Sequence, residues 1–248
     1  MSNEPLIEVV EETGSTNADL LARVSGGETV PDNSWLMAER QTGGRGRLGR
    51  KWDSPKGNLL CSTIVNLVPD DPAPSTLSLV VGLAVFETIE GLLLPDTPML
   101  LKWPNDVLID GAKVAGILLE RHGQSVVVGV GMNLSHAPDL PDRKTTCIVY
   151  ENGKFENGPR SVLPILAHHL AERLAMWREA PLSDTLLDWT VISHRYNDKM
   201  RITGADGEVM HGRYRGIDRE GALRVRPIGG RETIVHAGDV TLDWHDKE

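Results

Sequence analysis

Four short segments rich in β-branched residues follow one another between residues 99 and 130, and this run constrains the fold most. Residues 99–103, 107–109, 114–120 and 125–130 have strand length, and Asp110-Gly111 is a strong hairpin turn between the second and the third. No helical segment separates these strands, so the pattern is not an alternating βαβ one. We therefore predict an α+β fold.

Helical segments lie on both sides of this run, so we expect helices to flank the sheet. Thr16-x-x-Asp19 fits a capping box, and Gly26-Gly27 ends the helix that it begins. Residues 75–94 have helical length and apolar spacing, and a proline stands at each end. The other predicted helices are residues 159–177 and 182–195, and the other predicted strands are residues 6–11, 34–39 and 58–68.

The pattern changes at about Asp198, where turn signals become closely spaced. Turns at 205–207, 218–221 and 229–230 separate short apolar runs, which is typical of a small β-barrel. We therefore expect two domains, residues 1–197 and residues 198–248.

Composition and charge exclude several classes of protein. The 248 residues include 26 Lys+Arg and 35 Asp+Glu, and the net charge of −9 opposes general affinity for nucleic acid or anionic membranes. Cys61 and Cys147 lack the spacing of a zinc site and suit a reducing compartment. The first residues lack a signal-peptide pattern, and every apolar run is too short to span a membrane. We expect a cytoplasmic protein without nucleic acid or membrane partners.

A basic segment departs from this acidic average. Residues 40–51 contain five cations and no acid, and glycines at 43, 44, 46 and 49 interleave with them. Glycine exposes backbone N–H groups and arginine forks match phosphate or carboxylate oxygens, so we expect an anion site. A solvated basic loop and a contact to single-stranded nucleic acid, with Trp52 as a stacking platform, remain alternatives. Gly44-x-Gly46-x-x-Gly49 has dinucleotide-binding spacing, but no helix or βαβ unit follows it, so we reject that interpretation.

Three further positions carry chemistry of the same kind. Pro104 fixes a turn that lets Lys102 and Asn105-Asp106 face one site, although Asn-Asp after proline is also ordinary turn chemistry. Lys113 lies at the start of an apolar strand, and two interpretations remain open for it: a solvated charge at the sheet edge or a catalytic cation. Asn133 ends the following strand with an amide that can read a ribose or a base.

Taken together, these segments resemble biotin protein ligases in order and spacing. The resemblance rests on Ser15-Thr16-Asn17, Gln41, the run from Gly44 to Trp52, the segments 102–106, 113–118 and 129–133, and Arg215-Gly216-Ile217-Asp218. It implies a catalytic domain with a mixed β-sheet flanked by helices, similar to class II synthetases, followed by an SH3-like β-barrel. It also implies two half-reactions: biotin and ATP form biotinyl-5′-AMP, and the biotinyl group then passes to one lysine of a biotin carboxyl carrier protein.

The resemblance also implies residue roles. The catalytic residues would be Lys113, Arg45 and Arg47. The biotin-binding residues would be Ser15, Thr16, Asn17, Gln41, Arg45, Gly46, Arg47, Lys113, Gly116 and Ile117. The ATP-binding residues would be Arg47, Arg50, Trp52, Lys102, Asn105, Asp106 and Asn133, and Asn105 or Asp106 would hold Mg²⁺.

Two departures from the family pattern affect what can be carried over. Members that double as repressors carry a helix-turn-helix domain ahead of this core, whereas here few residues precede the first predicted strand, so we expect a monofunctional ligase. Many members end on a strand with Leu-Arg, the arginine contacting nucleotide, whereas this chain has Leu242-Asp243. Arg213, Arg215, Arg224 and Arg226 are candidates to make this nucleotide contact instead.

Two alternative functions remain: a lipoate or other acyl-carrier ligase, and a nucleic-acid-binding module. The sequence leaves open whether the protein is a homodimer.

Overall fold

A computed structural model describes residues 4–141, 143–152, 158–204 and 207–242 of the chain. The first part contains strands and helices in mixed order, and the last part contains strands. The strands are β1 (Leu6–Thr13), β2 (Ser34–Gln41), β3 (Leu59–Asn66), β4 (Met99–Lys102), β5 (Asp106–Ile109), β6 (Ala112–His122), β7 (Ser125–Met132), β8 (Lys199–Thr203), β9 (Val209–Ile217), β10 (Leu223–Pro227), β11 (Thr233–Val235) and β12 (Asp239–Leu242). The helices are α1 (Thr16–Ser25), α2 (Leu77–Glu90), α3 (Ile148–Asn152), α4 (Pro159–Glu179) and α5 (Leu182–Val191).

Seven strands form one mixed sheet in the order β1-β2-β3-β7-β6-β5-β4. Only the β1–β2 pair is parallel among the pairs that the described residues make, and the four segments between residues 99 and 130 pair antiparallel as neighbours. The hairpin at Asp110-Gly111 has positive φ at both residues, as this turn requires. The prediction of an α+β fold with a mixed sheet is confirmed.

Helices cover both faces of this sheet. On one face, Leu20 of α1 packs with Leu36, Ile64 and Val127 in a small cluster. On the other face, α2, α4 and α5 enclose the main core. Because both faces are covered, β3 is buried along almost its whole length instead of alternating between buried and exposed residues.

The C-terminal strands form a five-stranded antiparallel sheet in the order β11-β10-β9-β8-β12. Within the described residues its two edge strands, β11 and β12, do not pair, so it is an open sheet there and not a closed barrel. Its buried residues Met200, Tyr214 and Leu223 belong to the same apolar core as Leu101 and Trp103. The Trp103 indole N–H also donates to the carbonyl of Gly221 (3.0 Å), which ties the β9–β10 turn to the larger sheet.

Two local predictions need correction. The N-cap of α1 is Ser15, whose Oγ accepts from the backbone N–H of Ala18 (3.5 Å), and not Thr16, which the capping-box pattern indicated. The short helix α3 carried no periodicity long enough to predict it. Among the described residues, no helix is both long and apolar enough to cross a membrane.

Candidate active site

A cavity of about 600 Å³ lies on the face of the large sheet that carries α1. Its size is typical of a small-molecule site. The walls come from the start of α1, the ends of β6 and β7, the basic segment 44–52 and the loop after β7, and Asp239 of β12 also reaches it. Residues far apart in sequence therefore meet at a single site.

The end of the cavity near α1 is lined by neutral polar side chains, and the Glu120 carboxylate, which does not line the cavity, contacts one of them. The Thr16 hydroxyl contacts Ser62 Oγ (2.7 Å) and Gln41 Oε1 (3.1 Å), and the backbone N–H of Thr16 donates to the same Gln41 oxygen (2.8 Å). Asn17 accepts from Ser62 Oγ (2.6 Å) and donates to Glu120 (2.9 Å). Because Ser15 caps the helix, the Thr16 and Asn17 side chains are free to face the cavity. This end can recognise a neutral polar ligand group.

Three glycines give the cavity its depth along the sheet. Gly129 and Gly131 lie two residues apart on β7 and face the same side as Val127. A Cβ on Gly129 would stand 2.2 Å from Asn17 Oδ1, and one on Gly131 would stand 2.4 Å from the Trp52 ring. A Cβ on Gly116 would also come within 3.0 Å of both Trp52 and the Lys113 ammonium. Glycine is therefore needed at Gly129 and Gly131, because the Asn17 and Trp52 side chains lie directly on the sheet.

The other end of the cavity is built on a buried ion network. The Asp106 carboxylate contacts Lys113 Nζ at 2.5 Å and Lys102 Nζ at 3.1 Å. Burial opposes ionisation of Asp106, but the two ammonium groups outweigh it and hold the pKa of Asp106 below its ordinary value. Burial lowers the pKa of Lys113, and the ion pair with Asp106 opposes that shift. Lys113 also lies 5.2 Å from the centre of the Trp52 ring, a cation–π distance, so its ammonium is held in one place.

The basic segment folds over the cavity as a short hairpin. Arg45 and Lys51 form an isolated antiparallel bridge, and the N–H of Trp52 donates to the carbonyl of Gly44 (2.9 Å). Arg45 pairs with Glu120 (2.9 Å), and Arg50 pairs with Asp239 (2.8 Å). Carboxylates of the chain itself therefore offset part of the positive charge of this segment.

Two polar atoms in the cavity wall are buried without a hydrogen-bond partner among the described residues. They are Asn133 Oδ1 and the indole nitrogen of Trp52. The Asn133 amide nitrogen is already held by the carbonyl of Thr146 (3.1 Å), so its oxygen is fixed in place. Buried polar atoms without partners cost free energy, and these two are placed to be satisfied by a ligand.

Asn105 and Asp106 do not fit a resident metal ion as they stand. Both carboxylate oxygens of Asp106 face ammonium groups, and Asn105 Oδ1 accepts from Arg47 (3.4 Å). In the part of the chain that the structure describes, no three His, Cys, Asp or Glu side chains cluster as a metal site would require. We therefore derive no catalytic step from a metal held by the protein.

Comparison with known proteins agrees with this geometry. The model of the biotin/lipoate A/B protein ligase family matches residues 11–135. The chain is 38% identical over 94% of its length to biotin–[acetyl-CoA-carboxylase] ligase of Mycobacterium tuberculosis, covering 88% of that protein. This chain belongs to the biotin/lipoate A/B protein ligase family. The resemblance to biotin protein ligases that the motifs indicated is confirmed.

Other matches place this family member among the biotin ligases. It is 33% identical over 92% of its length to the enzyme of the same name from Paracoccus denitrificans, covering 98% of it. Biotin protein ligase from Aquifex aeolicus, solved in complex with biotin and ATP, superposes with a TM-score of 0.81 at 27% identity, with 96% of this chain and 98% of that one covered. The ligase from Leishmania major, solved with biotinyl-5-AMP, gives 0.66 at 25% identity, with 94% and 99% covered.

The cavity of this family member brings together nearly every site residue that the sequence singled out. All of them line it except Lys102, which contacts the Asp106 carboxylate that does line it. The four arginines suggested as substitutes for a C-terminal nucleotide contact, Arg213, Arg215, Arg224 and Arg226, do not line it. Asp243 lies outside the described residues.

Several residues of the site escaped the sequence analysis. Glu120 and Asp239 hold the basic hairpin, Ser62 joins Thr16 to Asn17, and Gly129 and Gly131 form the floor. The segment Pro138, Asp139, Leu140, Arg143 and Thr145 adds a wall after β7. A usable signal existed only for the Gly129-x-Gly131 spacing inside a buried strand, where glycine marks close approach by another group.

Gly131→Ala tests the close approach of Trp52 to the sheet. We expect the added methyl group to displace the indole and the Lys113 ammonium that faces it, and to lower kcat/KM for adenylate formation by about 100-fold, as a shift of about 1 Å in a catalytic group can do. Gly91→Ala is the matched control, because its Cβ would make only contacts of 3.6 Å or longer. Biotin-dependent pyrophosphate exchange measures both variants, and equal rates would contradict the role of Gly131.

Proposed function

We propose that this chain is an ATP-dependent biotin protein ligase that forms biotinyl-5′-AMP and transfers the biotinyl group to a lysine of a biotin carboxyl carrier protein. The observation that carries the proposal is the two-ended cavity. A neutral hydrogen-bonding end faces a cationic end in one pocket of about 600 Å³, as the ureido ring and the carboxylate of biotin require. The relatives and solved structures named above support the same substrates.

In the proposed Michaelis complex, Ser15, Thr16, Asn17 and Gln41 hydrogen-bond the ureido ring. Gly116 and Ile117 then lie along the valeryl tail, and Arg45, Gly46 and Arg47 close over it. Lys113 lies at the far end, where the biotin carboxylate meets the α-phosphate of ATP. The polar network around Thr16 supports this orientation because its hydroxyl and amide groups complement a neutral ring and offer no charge to a carboxylate.

In the first half-reaction, a carboxylate oxygen of biotin attacks the α-phosphorus of ATP and the bond to pyrophosphate breaks. Negative charge accumulates on the phosphoryl oxygens, and we assign Lys113 to stabilise it. Asp106 positions that lysine, and Lys102 balances the charge of Asp106. A fixed cation is effective because it needs no reorganisation as charge develops.

The nucleotide would occupy the rest of the cavity. Arg47 and Arg50 would face the phosphates, and the pair that Arg50 makes with Asp239 would exchange for one with pyrophosphate. We assign Trp52, Asn105 and Asn133 to the nucleoside side. The unpaired atoms Asn133 Oδ1 and Trp52 Nε1 support this assignment, because a sugar or a base can satisfy both. We propose that Mg²⁺ enters with the ATP phosphates rather than in a protein cage.

In the second half-reaction, the amine of the carrier lysine attacks the acyl carbon of biotinyl-5′-AMP. The bond from that carbon to the AMP oxygen breaks, an amide forms, and the amine loses a proton. We propose that the basic hairpin shields the mixed anhydride from water until the carrier arrives.

We retain residues 1–197 as the catalytic domain and residues 198–248 as the C-terminal domain. The free, buried thiols of Cys61 and Cys147 support a cytoplasmic location. We propose no nucleic acid or membrane partner. Sedimentation velocity with and without biotin tests whether the protein forms a homodimer.

Pyrophosphate exchange with two candidate substrates, biotin and lipoate, tests the function. We expect exchange into ATP that depends on biotin and not on lipoate, followed by biotin transfer to an apo carrier domain. Exchange that depends on lipoate would establish the alternative ligase, and exchange with neither acid would exclude both.

Arg45→Ser tests the shielding by the basic hairpin. We expect the variant to release biotinyl-5′-AMP and to biotinylate serum albumin several-fold faster than wild type, because loss of the Arg45–Glu120 pair, which as an exposed pair contributes about 0–1 kcal/mol, raises the open fraction of the basic hairpin by up to about 5-fold. Arg40→Ser is the control, since Arg40 pairs with Glu12 and does not line the cavity.

Hydrogen exchange over residues 40–54 supplies the second measurement for the hairpin. We expect biotin to increase protection of these amides in the wild-type protein. Equal protection with and without biotin, together with tight retention of the adenylate by Arg45→Ser, would show a static anion site in place of a lid.

A further inference from the structure

The outward face of the C-terminal sheet carries a row of cations on three neighbouring strands. Lys199 on β8 is the register partner of Arg213 on β9, and Arg213 is the register partner of Arg226 on β10. All three are exposed, while the neighbouring residues Met200, Gly212 and Val225 are buried. Arg201, Arg215 and Arg231 extend this surface, which we call the cationic face.

The pairing of Arg213 with Arg226 in this row is unfavourable for the isolated protein. Like charges directly opposite each other on antiparallel strands destabilise a sheet. The structure gives Arg201, Arg213, Arg226 and Arg231 no carboxylate partner within 4 Å among the residues that it describes. A basic surface is also unexpected on a chain with a net charge of −9.

The cationic face is shaped as well as charged. Arg215, Arg226 and Arg231 line a shallow cavity of about 310 Å³ together with Tyr196, Gly230 and Glu232, and the Glu232 carboxylate is paired with Arg224 at 2.5 Å. The Arg215 guanidinium lies 4.7 Å from the centre of the Tyr196 ring, and this contact holds the guanidinium in place. Ile228 is 81% exposed and Ile234 is 50% exposed beside it. Arginine, tyrosine and exposed aliphatic groups together are typical of a protein interface.

We infer that the cationic face docks an acidic surface of the carrier protein whose lysine is modified. The inference rests on the proposed function, because that reaction requires a macromolecular partner. A protein partner is favoured over nucleic acid because Arg215 already covers one face of Tyr196, the exposed aromatic ring that borders this cavity, and because Ile228 and Ile234 offer apolar contacts.

The position of the face relative to the cavity suits this role. Asp239 on β12 lines the active-site cavity, and β12 is separated from β10 by three strand steps in the same sheet. Three steps amount to about 14 Å across the sheet, and Asp239 pairs with Thr203, four residues along β8 from Lys199, which adds about 13 Å along the strands. About 20 Å therefore separate Asp239 from Arg226, a distance that a bound carrier domain can span to bring its lysine to the cavity.

We expect the cationic face to increase the rate at which the carrier associates and to leave the chemical steps unchanged. An acidic carrier is repelled by most of this protein, and a local cationic surface directs its approach and raises the association rate. Loss of the surface should raise KM for the carrier and leave kcat and biotin activation unchanged.

Arg226→Glu tests the inference, with Arg219→Glu as the matched control. Both residues are exposed arginines of the same sheet or its turn, and each substitution changes the net charge by the same amount, but Arg219 lies in the β9–β10 turn away from the cationic face. The substrate is the apo biotin carboxyl carrier domain of the same organism. We expect KM for this domain to rise about 10-fold in Arg226→Glu and less than twofold in Arg219→Glu. Biotin-dependent pyrophosphate exchange, which needs no carrier, should be unchanged in both.

Further measurements make each outcome decisive. Arg226→Gln should show a smaller rise in KM, and the fall of kcat/KM with added salt should be shallower in Arg226→Glu than in wild type. An unchanged KM for the carrier in a folded Arg226→Glu variant would overturn the inference. Saturable binding of a single-stranded DNA oligonucleotide would also overturn it, if Arg226→Glu abolishes that binding while the KM for the carrier stays constant. Absence of pyrophosphate exchange in the wild-type protein would instead count against the proposed function.

Discussion

Lys113→Gln should reduce biotin-dependent pyrophosphate exchange by about 100- to 1,000-fold while the fold is retained. Removal of one preorganised charge from a reacting centre typically costs this much. The Lys113 ammonium is held by Asp106 at 2.5 Å and lies over Trp52, so no other cation can easily move into its place when it is removed. Asp106 keeps its contact with Lys102 in the variant, and the carboxylate is not left unpaired.

Lys56→Gln is the control for this substitution. Lys56 is exposed, pairs loosely with Glu11 and Glu39, and does not line the cavity. Exchange rates and thermal melting should be measured for both variants. Exchange by Lys113→Gln within a few-fold of wild type, at unchanged melting temperature, would remove Lys113 from the catalytic role.

The free energy of unfolding should fall on acidification because of His194. This imidazole is buried between Trp189 and Tyr214, and its Nε2 accepts from the backbone N–H of Trp103 (3.1 Å). Burial, with the nearby charge of Lys102, lowers the pKa of His194 to about 3, from an ordinary value of 6.5. The unfolded chain therefore binds a proton at pH values where the folded protein does not, and stability is lost as pH falls from the unfolded pKa towards the folded one. The slope attributable to His194 is about 1.4 kcal/mol per pH unit between about pH 5.5 and 4.

Urea unfolding at several pH values measures this slope. In His194→Gln the amide oxygen can accept from the Trp103 N–H, and the variant carries no titrating ring, so its stability should decline less steeply with acid than that of wild type. His168→Gln, at an exposed helical position, should parallel wild type. Parallel slopes in all three proteins would contradict the assignment of the pH dependence to His194.

Loss of His194 would matter for function as well, because the residue joins Trp103 of the large sheet to Tyr214 of the C-terminal sheet.

Much of the architecture was predictable because it depends on local patterns. The proline-bounded apolar run gave α2, and the Asp110-Gly111 turn gave the β5–β6 hairpin. The basic segment was predicted as an anion site because five cations without an acid are exceptional in an acidic chain; the segment does line the cavity, and anion binding there stays a prediction. Lys113 and Asn133 were recognisable through the resemblance to biotin protein ligases, which also indicated the reaction.

The partners of these groups were not predictable, because sheet register brings them together across long stretches of chain. Glu120 meets Arg45 and Asp239 meets Arg50 only after β6 and β12 are in place. Lys102 shows the same dependence, since its position on β4 directs it to Asp106 and not into the cavity. At the start of α1, Thr16 was predicted as the cap, but its hydroxyl instead contacts Ser62 and Gln41, which come from β3 and β2.

The sequence by itself determined the element types, the family, and the kind of charge and hydrogen-bonding groups that the site offers, because these depend on residue identity and short spacing. Only the tertiary structure decided which charges neutralise one another, how closely Asn17 and Trp52 approach the glycines of β7, and which arginines face the cavity. Those properties depend on distances between separate strands, and the strengths of ion pairs and packing contacts change steeply over a few ångströms. The row formed by Lys199, Arg213 and Arg226 is of this second kind, because it exists only in the pairing of three strands.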